Sequence, residues 1–186
     1  MIEHPTGSIT YELLTIIPAK MDSKRLTKKN LRLLDDKPLL LHSLDYAKKT
    51  NHINKIIVSS ESSEVSDVLP SDIIFHDRNL KLCGDVEVVD VYLDVIRNIH
   101  EEFDYVVCLQ PDNPTRSNSL DDCLNYMIDN KYDDLITVNN EYKRSGSVRI
   151  FKYEYLKAGL VSKRMGCIRD SAIDIHYKED LEALND

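Results

Sequence analysis

The sequence predicts an α/β fold: a single doubly wound, mostly parallel sheet with helices on both faces. Three observations predict it. Short apolar runs alternate with amphipathic segments, the runs are apolar throughout, and no repeat or Pro/Gly-rich linker interrupts the chain. Parallel strands have this continuous apolar character because helical crossovers cover both faces of the sheet. We therefore expect one domain over residues 1–186, with residues 1–10 as an N-terminal extension.

The strands and helices can be assigned in order from two patterns: continuous apolar runs for strands, and apolar residues at helical spacing for helices. The apolar, β-branched run Tyr11–Ile17 predicts the first buried strand. Residues 38–50 predict a helix, because Leu40, Leu44 and Ala47 recur at helical spacing. Further strands are predicted at 55–59, 72–76, 104–109, 134–139, 147–151 and 173–175, and further helices at 62–69, 86–101, 119–130 and 178–184.

Composition excludes several classes of protein. The chain is 42% apolar and 30% charged, as in ordinary globular domains, and its apolar runs are too short to span a bilayer. The net charge of −8 disfavours nonspecific binding to nucleic acid. The first residues lack the basic flank and apolar stretch of a signal peptide, so we expect a cytoplasmic protein with its four cysteines reduced.

Positive charge is concentrated in one part of this acidic chain. Six Lys and Arg residues fall within residues 20–32, opposed only by Asp22. The cluster follows the first predicted strand, and open α/β sheets bind ligands beyond the carboxyl ends of their strands. It contains neither GxGxxG nor a Walker A sequence, which disfavours a dinucleotide dehydrogenase and a P-loop NTPase. The position indicates a pocket for a compact polyanion; a solvated charge run is the alternative.

Polar residues follow other predicted strands. Residues 110–116 form a loop fixed by two prolines, which is either a plain turn or a rigid base- or ribose-reading loop. Asp174 and His176 fall on the same side of the predicted strand 173–175, as a divalent-metal site or a surface pair. His76 is the last residue of the predicted strand 72–76, and its role stays open between structure and site.

In combination, these segments resemble the CMP-acylneuraminate synthetases, the cytidylyltransferases that activate sialic and related nonulosonic acids. Residues 16–30 are similar, without a gap, to the family's nucleotide loop, commonly written IIPARGGSKGIPRKN. Further segments resemble family motifs in the family's order: residues 34–39, 58–61, Arg78 with Asp85, 109–116, 144–148, and 173–176 with 180–181. The resemblance implies a Rossmann-like nucleotidyltransferase fold.

The resemblance also implies a reaction and its residues. The reaction is transfer of CMP from CTP to a nonulosonic, sialic-acid-like or Kdo-like sugar acid, with release of pyrophosphate and with Mg²⁺ as cofactor. The residues implied to bind the nucleotide are Ala19, Lys20, Ser23, Lys24, Lys29, Asn30, Arg78 and Gln110. The implied catalytic residues are Lys20, Lys29 and Asp174, and the implied metal ligands are Asp174 and His176. Lysines and a metal suit this chemistry, which depends on positioning and charge neutralisation.

The chain departs from the family pattern at three places. Lys20-Met21-Asp22 replaces the usual Arg-Gly-Gly, which exchanges a bidentate phosphate contact for a point charge and adds a carboxylate. His176 stands where a second metal carboxylate is expected. Only residues 140–143 stand where the family has a few dozen residues, including parts of the sugar pocket and the dimerising extension.

Two alternatives therefore stay open beside the sugar-acid cytidylyltransferase. One is a cytidylyltransferase with a different small acceptor, such as a phosphonate or a phosphorylated metabolite. The other is a catalytically weak nucleotide-binding homologue that acts as a partner subunit. We expect no nucleic acid polymer and no membrane as partner, and a homodimer stays open because the segment that the family uses for dimerisation is missing.

Overall fold

A computed structural model describes residues 2–3, 9–160 and 162–185 of the chain. The strands in these ranges are β1 Ile2–Glu3, β2 Ile9–Thr10, β3 Glu12–Pro18, β4 Leu33–Leu34, β5 Lys37–Pro38, β6 Ile53–Ser60, β7 Ile74–Asp77, β8 Tyr105–Cys108, β9 Asp134–Val138, β10 Arg144–Lys152 and β11 Met165–Arg169. The helices are α1 Leu39–Lys48, α2 Ser63–Asp67, α3 Val88–Arg97, α4 Leu120–Asp129, α5 Tyr153–Ala158 and α6 Lys178–Asn185. Short 3-10 helices lie at Lys29–Leu31 and Leu80–Leu82.

The central sheet has seven strands in the order β11-β9-β10-β8-β3-β6-β7. Strand β3 pairs in parallel with both of its neighbours, so that Ile16 lies opposite Ile57 on β6 and Cys108 on β8. The pairs β6–β7 and β9–β11 are also parallel, whereas β10 runs antiparallel to β8 and β9. The predicted mostly parallel sheet is confirmed, and the direction of β10 is the exception within it.

Helices cover both faces of the sheet. Successive side chains of a strand point to opposite faces, and β3 shows this directly. Leu13 and Ile17 pack in a core with α1, α2 and α4, whereas Leu14 and Ile16 pack in a second core with α3 and α5. The predicted two-sided arrangement is confirmed. Among the described residues, no helix combines the length and apolar character that crossing a membrane needs.

A smaller apolar cluster joins residues 20–32, called the basic loop below, to the C-terminal part of the chain. Leu26 of that loop packs with Leu39, Ile175 and Leu181, all of them buried. Ile175 belongs to the segment that carries Asp174 and His176, and Leu181 belongs to α6. Burial of these side chains therefore holds the C-terminal segment against the basic loop.

The predicted strand at 173–175 is wrong. The N–H of Ile173 donates to Thr115 Oγ1 at 3.0 Å, and the N–H of Ile175 donates to the carbonyl of Asp112 at 2.8 Å. The N–H of Ala172 donates to the carboxylate of Asp170 at 3.2 Å. Contacts with a loop and with a side chain thus satisfy this backbone in place of a strand ladder.

The other predicted strands and helices are present, with ends that differ by at most four residues. The structure adds α5, β11 and the short antiparallel pair β4–β5, which the sequence patterns did not predict. Of the predicted N-terminal extension, β1 and β2 pair as an antiparallel ribbon, and residues 1 and 4–8 lie outside the described residues.

Strands β9 and β10 are joined by a closed turn. The side chain of Asn139 accepts from the N–H groups of Glu141 and Lys143, at 3.0 and 2.9 Å. Tyr142 adopts a positive φ of 59°, and its N–H donates to the carbonyl of Asn139 at 3.0 Å. The short connection at 140–143 is therefore a compact hairpin turn.

Candidate functional site

A cleft of about 350 Å³ opens beyond the carboxyl ends of β3 and β8. The loop after β3, the segment after β7 and the loop after β8 form its walls. Seven of the eight residues predicted to bind a nucleotide line it: Lys20, Ser23, Lys24, Lys29, Asn30, Arg78 and Gln110. The fold thus gathers residues from three distant parts of the sequence at one edge of the sheet.

The cleft carries a surplus of positive charge within an acidic chain. Five of the residues that line it are cations: Lys20, Lys24, Arg25, Lys29 and Arg78. Three are carboxylates: Asp22, Asp85 and Asp112. The surplus of two positive charges, against a net charge of −8 for the chain, suits a compact polyanion.

The outer lysines of the cleft are paired loosely. Lys20 Nζ lies 3.7 Å from Asp22 Oδ1, and Lys24 Nζ lies 3.6 Å from Asp85 Oδ2. These four side chains are exposed, so each pair contributes little stability. Both lysines can therefore turn to a bound anion at small cost, and Lys20 offsets the charge that Asp22 adds to the loop.

Lys29 is held much more firmly, deep in the cleft. Lys28 has a positive φ of 54° and turns the chain into the 3-10 helix at Lys29–Leu31. The Nζ atom of Lys29 lies 2.5 Å from Asp112 Oδ2 and donates to the carbonyl of Ile175 at 2.9 Å. Asn30 donates to the carbonyl of Lys20 at 2.8 Å and closes the basic loop on itself. The fold therefore presents the Lys29 ammonium in one fixed position.

A group of potential metal ligands adjoins Lys29. One atom each of Asp112, Asp174 and His176 lies within 4.8 Å of the others, and His176 Nε2 is 3.0 Å from Asp174 Oδ2. Partial burial raises the pKa of Asp174, and the carboxylate of Asp112 raises it further, while His176 and Lys29 lower it. Two carboxylates this close favour a bound cation.

The donor chemistry of this group fits Mg²⁺ through its carboxylates. Magnesium prefers oxygen ligands, which Asp112 and Asp174 supply, and the imidazole of His176 is a poorer ligand for it. The Nδ1 atom of His176 is buried without a hydrogen-bond partner. Asp180 accepts from the backbone N–H of His176 at 2.8 Å, which fixes the start of α6 rather than the imidazole.

Asp112 is the site residue that sequence reasoning missed. It lies in the polar loop 110–116, where Asp and Asn beside proline are equally typical of an ordinary turn. The signal that could have found it is its position three residues after Leu109, the last residue of the predicted strand 104–109, at the edge of the sheet where ligands bind.

Arg78 forms a rigid wall of the cleft. Its Nη2 donates to the carbonyl of Ser59 at 2.5 Å, its Nε donates to Ser59 Oγ at 3.2 Å, and its Nη1 lies 3.9 Å from Glu61 Oε2. The side chain is 3% exposed. Burial lowers the pKa of Arg78, and Glu61 opposes that effect. Arg78 thus remains a cation whose orientation Ser59 sets.

Gln110 is fixed by contacts on two sides. Its N–H donates to the carbonyl of Gly146 at 3.2 Å, and a Cβ at position 146 would lie only 2.1 Å from its Oε1. Its carbonyl accepts from Arg116 Nη2 at 2.8 Å. Arg116 also donates to Ser147 and Ser43, and burial lowers its pKa to about 10. Arg116 therefore fixes the loop instead of reading a ligand, whereas Gln110 faces the cleft.

Three predicted site residues do not line the cleft. Ala19 is fully buried, and its N–H donates to the carbonyl of Ser59 at 2.9 Å, so it fixes the loop instead. Asp174 and His176 lie at the rim, next to Asp112, which does line the cleft.

Comparison with known proteins agrees with this geometry. The cytidylyltransferase family model matches residues 14–160. The chain belongs to the cytidylyltransferase family. The matched part of this cytidylyltransferase contains the basic loop, Arg78 and the loop after β8, whereas Asp174 and His176 follow it.

Two curated relatives activate sugar acids, according to their names. The chain is 34% identical over 110 residues to the CMP-N,N'-diacetyllegionaminic acid synthase of Legionella pneumophila, which covers 56% of this chain and 47% of the relative. It is 27% identical over 141 residues to the N-acylneuraminate cytidylyltransferase of Escherichia coli, over 74% of this chain and 34% of the relative. The cytidylyltransferase chain thus spans less than half the length of either.

A solved structure shows the same fold. The chain superposes with a TM-score of 0.71 on the CMP:2-keto-3-deoxy-manno-octonic acid synthetase complexed with CTP, over 94% of this chain and 97% of that one. Only 14% of residues are identical. The likeness confirms the predicted nucleotidyltransferase-like α/β fold.

Proposed function

We propose that this cytidylyltransferase transfers CMP from CTP to a sugar acid in an Mg²⁺-dependent reaction that releases pyrophosphate. One observation carries the proposal: Lys29, Asp112 and Asp174 meet in a single group at the end of a basic loop that lines the cleft. An ammonium and two carboxylates at this point combine a phosphate-binding cation with oxygen ligands for a metal.

The nucleotide would lie along the cleft. Its triphosphate would bind Lys20, Ser23, Lys24 and Lys29, the first three from an exposed, adaptable part of the loop and the last from a fixed position. Two residues would contact the nucleoside: Arg78, whose guanidinium Ser59 holds, and Gln110, whose backbone is hydrogen-bonded and whose amide packs against Gly146. Fixed polar groups favour selectivity, because a mismatched base leaves them unpaired.

The reaction is a displacement at the α-phosphorus of CTP. The anomeric hydroxyl of the acceptor gives its proton to water, and its oxygen forms a bond to that phosphorus, while the bond to the pyrophosphate oxygen breaks and pyrophosphate leaves. Lys20 and Lys29 would neutralise charge that develops on the phosphate oxygens. Asp112 and Asp174 would hold Mg²⁺, which supplies further positive charge to the triphosphate when it is bound; His176 would hold Asp174 in place through their 3.0 Å contact.

Sugar acids are the proposed acceptor class because the named relatives act on them. The compact turn at 140–143 favours a second candidate, a cytidylyltransferase with a smaller acceptor, since little chain is present there to form a pocket wall. We propose a single nucleotidyltransferase domain over residues 1–186 in the cytoplasm, where its four cysteines stay free as they are in the structure.

The test is a pyrophosphate-release assay with CTP, Mg²⁺ and a panel of acceptors. The panel contains N,N'-diacetyllegionaminate, N-acylneuraminate and 3-deoxy-manno-octulosonate, named for the relatives, together with phosphonates and phosphorylated metabolites of lower mass. We expect release with one sugar acid. Release only with a small phosphorylated acceptor favours the second candidate, and CTP binding without any release indicates the partner-subunit alternative.

A further inference from the structure

A chain of four side chains runs from Arg78 away from the cleft. Arg78 Nε lies 3.2 Å from Ser59 Oγ, Ser59 Oγ lies 3.0 Å from His76 Nδ1, and His76 Nε2 lies 3.5 Å from Asp94 Oδ2. Arg78, His76 and Asp94 also line a second cavity of about 760 Å³ on the far side of Arg78. Arg78 therefore separates the nucleotide cleft from a cavity that brings solvent to His76.

The charged groups at the two ends of this series of side chains, Arg78 and Asp94, determine which atom donates and which accepts at each contact. A guanidinium has no acceptor, so Arg78 donates to Ser59 Oγ. The carboxylate of Asp94 accepts only, so it favours the proton of the imidazole on Nε2 and leaves Nδ1 of His76 as an acceptor. Ser59 is fully buried, and its hydroxyl proton therefore goes to His76 Nδ1. Arg78, Ser59 and His76 then each direct a proton toward the next group, and Asp94 at the end only accepts.

We infer that His76 is a positioning residue for Arg78: neutral His76 accepts the hydroxyl proton of Ser59 and so keeps Ser59 Oγ as the acceptor for Arg78. The inference rests on the proposed function, because Arg78 is a nucleotide-binding residue there. Protonation of His76 would leave two donors, Nδ1–H and the Arg78 Nε–H, facing a buried hydroxyl that has lost its own acceptor. Arg78 would keep its Nη2 bond to the Ser59 carbonyl but lose the set geometry of its Nε bond to Ser59 Oγ, and the nucleotide would bind less tightly.

The groups around His76 keep it neutral near pH 7. Burial lowers its pKa, Arg78 lowers it further, and Asp94 and Asp77 oppose these effects. Glu61 lines the same cavity and adds its negative charge to that side. The effect therefore falls in a window below the ordinary pKa of histidine, about 6.5. Because the folded state holds its proton less tightly than the unfolded one, folding also loses stability as the pH falls through this window.

Two substitutions at position 76 distinguish a positioning role of His76 from a role in packing alone. His76→Asn places an amide oxygen where Nδ1 stands, so it keeps an acceptor for Ser59 and removes the titration. His76→Gln places its amide where Nε2 stands, so it faces Asp94 and leaves Ser59 without an acceptor. A packing role alone predicts that the larger glutamine substitutes at least as well as asparagine.

The experiment is a titration of each protein with CTP at pH 7.5 and pH 5.5. Protonation of CTP itself affects all proteins equally, so the comparison is between their ratios of affinity at the two pH values. We expect the ratio of CTP affinity at pH 7.5 to that at pH 5.5 to be larger for the wild type than for His76→Asn, by less than the roughly tenfold that an ordinary histidine pKa of about 6.5 would allow over this interval. We also expect His76→Gln to bind more weakly than His76→Asn at pH 7.5. Equal ratios in wild type and His76→Asn would overturn the inference.

A second readout needs no nucleotide. In the free protein, ¹⁵N NMR should show His76 with its proton on Nε2 at pH 7.5, and exchange of the Arg78 Nε–H with water that is slower than its intrinsic rate at that pH. This protection, always measured against the intrinsic rate, should fall at pH 5.5 in the wild type and stay unchanged in His76→Asn. If neither the wild type nor either variant binds CTP, the proposed function fails, and this NMR measurement still tests the positioning role. Fast exchange of Arg78 Nε–H at both pH values would overturn it.

Discussion

Lys29 and Asp112 lie 83 residues apart in the sequence, and their side chains form an ion pair with 2.5 Å between Nζ and Oδ2. The pair joins the basic loop to the loop after β8, and the bond from Lys29 to the carbonyl of Ile175 adds the C-terminal segment. Three separate segments thus meet at one ammonium group. The proposed catalytic chemistry depends on this meeting point.

Replacing Lys29 should therefore affect catalysis far more than replacing its neighbour. We expect Lys29→Met to lower kcat/KM for CTP by about 100-fold or more, since it removes a fixed cation from the phosphates. Lys28→Met is the matched control, because Lys28 pairs with Glu64 at 2.5 Å and does not line the cleft. Steady-state pyrophosphate release measures both. Equal losses in the two variants would remove Lys29 from the site.

Asp174 should determine how much Mg²⁺ the proposed reaction needs. We expect Asp174→Asn to raise the Mg²⁺ concentration for half-maximal activity by about tenfold or more, because it removes one of two carboxylate ligands. Chelation of the metal should abolish activity in all variants. Glu179→Gln on α6 removes a nearby exposed charge and should leave the requirement unchanged. An unaltered Mg²⁺ requirement in Asp174→Asn would exclude it as a ligand.

Asp22 should weaken nucleotide binding in the wild type. It lines the cleft beside Lys20 and repels a triphosphate, so Asp22→Asn should tighten CTP binding by about two- to fivefold. The gain should shrink as salt is raised, since the interaction is exposed. Asp67→Asn makes the same change of net charge on α2, away from the cleft, and calorimetric titration of both tests the effect. Equal affinities in the two variants would contradict it.

Gly146 should be needed for the position of Gln110. A Cβ at Gly146 lies 2.1 Å from Gln110 Oε1, so Gly146→Ala must displace that side chain and should weaken CTP binding by about tenfold. Gly166→Ala is a matched control, since its Cβ lies 2.3 Å from a carbon of Tyr132, outside the cleft. Both should lose about 1–3 kcal/mol of stability. The account is wrong if Gly166→Ala lowers CTP affinity as much as Gly146→Ala.

The sequence predicted the layers of the fold well, because its strands are continuous apolar runs and its longer helices have a clear apolar stripe. It missed α5 and β11 for a physical reason. The six residues of α5 give less than two turns of periodicity, and β11 contains a glycine and exposed positions. The false strand at 173–175 has strand-like residues, but loop groups already satisfy its backbone.

Site residues were predictable where their position after a strand is enough to place them at the ligand-binding edge of the sheet. Lys29, Arg78 and Gln110 follow strands that end at the same edge, so the topology alone brings them together. Asp112 was not predictable in this way, since an aspartate beside proline is also a common turn residue. The inward role of Arg116 depends on contacts with Ser43 and Ser147, which no local pattern contains.

The proposed function requires the cleft to bind CTP with the help of a metal. The most direct test is calorimetric titration of the purified protein with CTP, UTP, ATP and GTP, each with and without Mg²⁺. We expect saturable binding of CTP that Mg²⁺ strengthens, with weaker binding of the other three nucleotides. Absence of binding to all four would contradict it and favour the partner-subunit alternative.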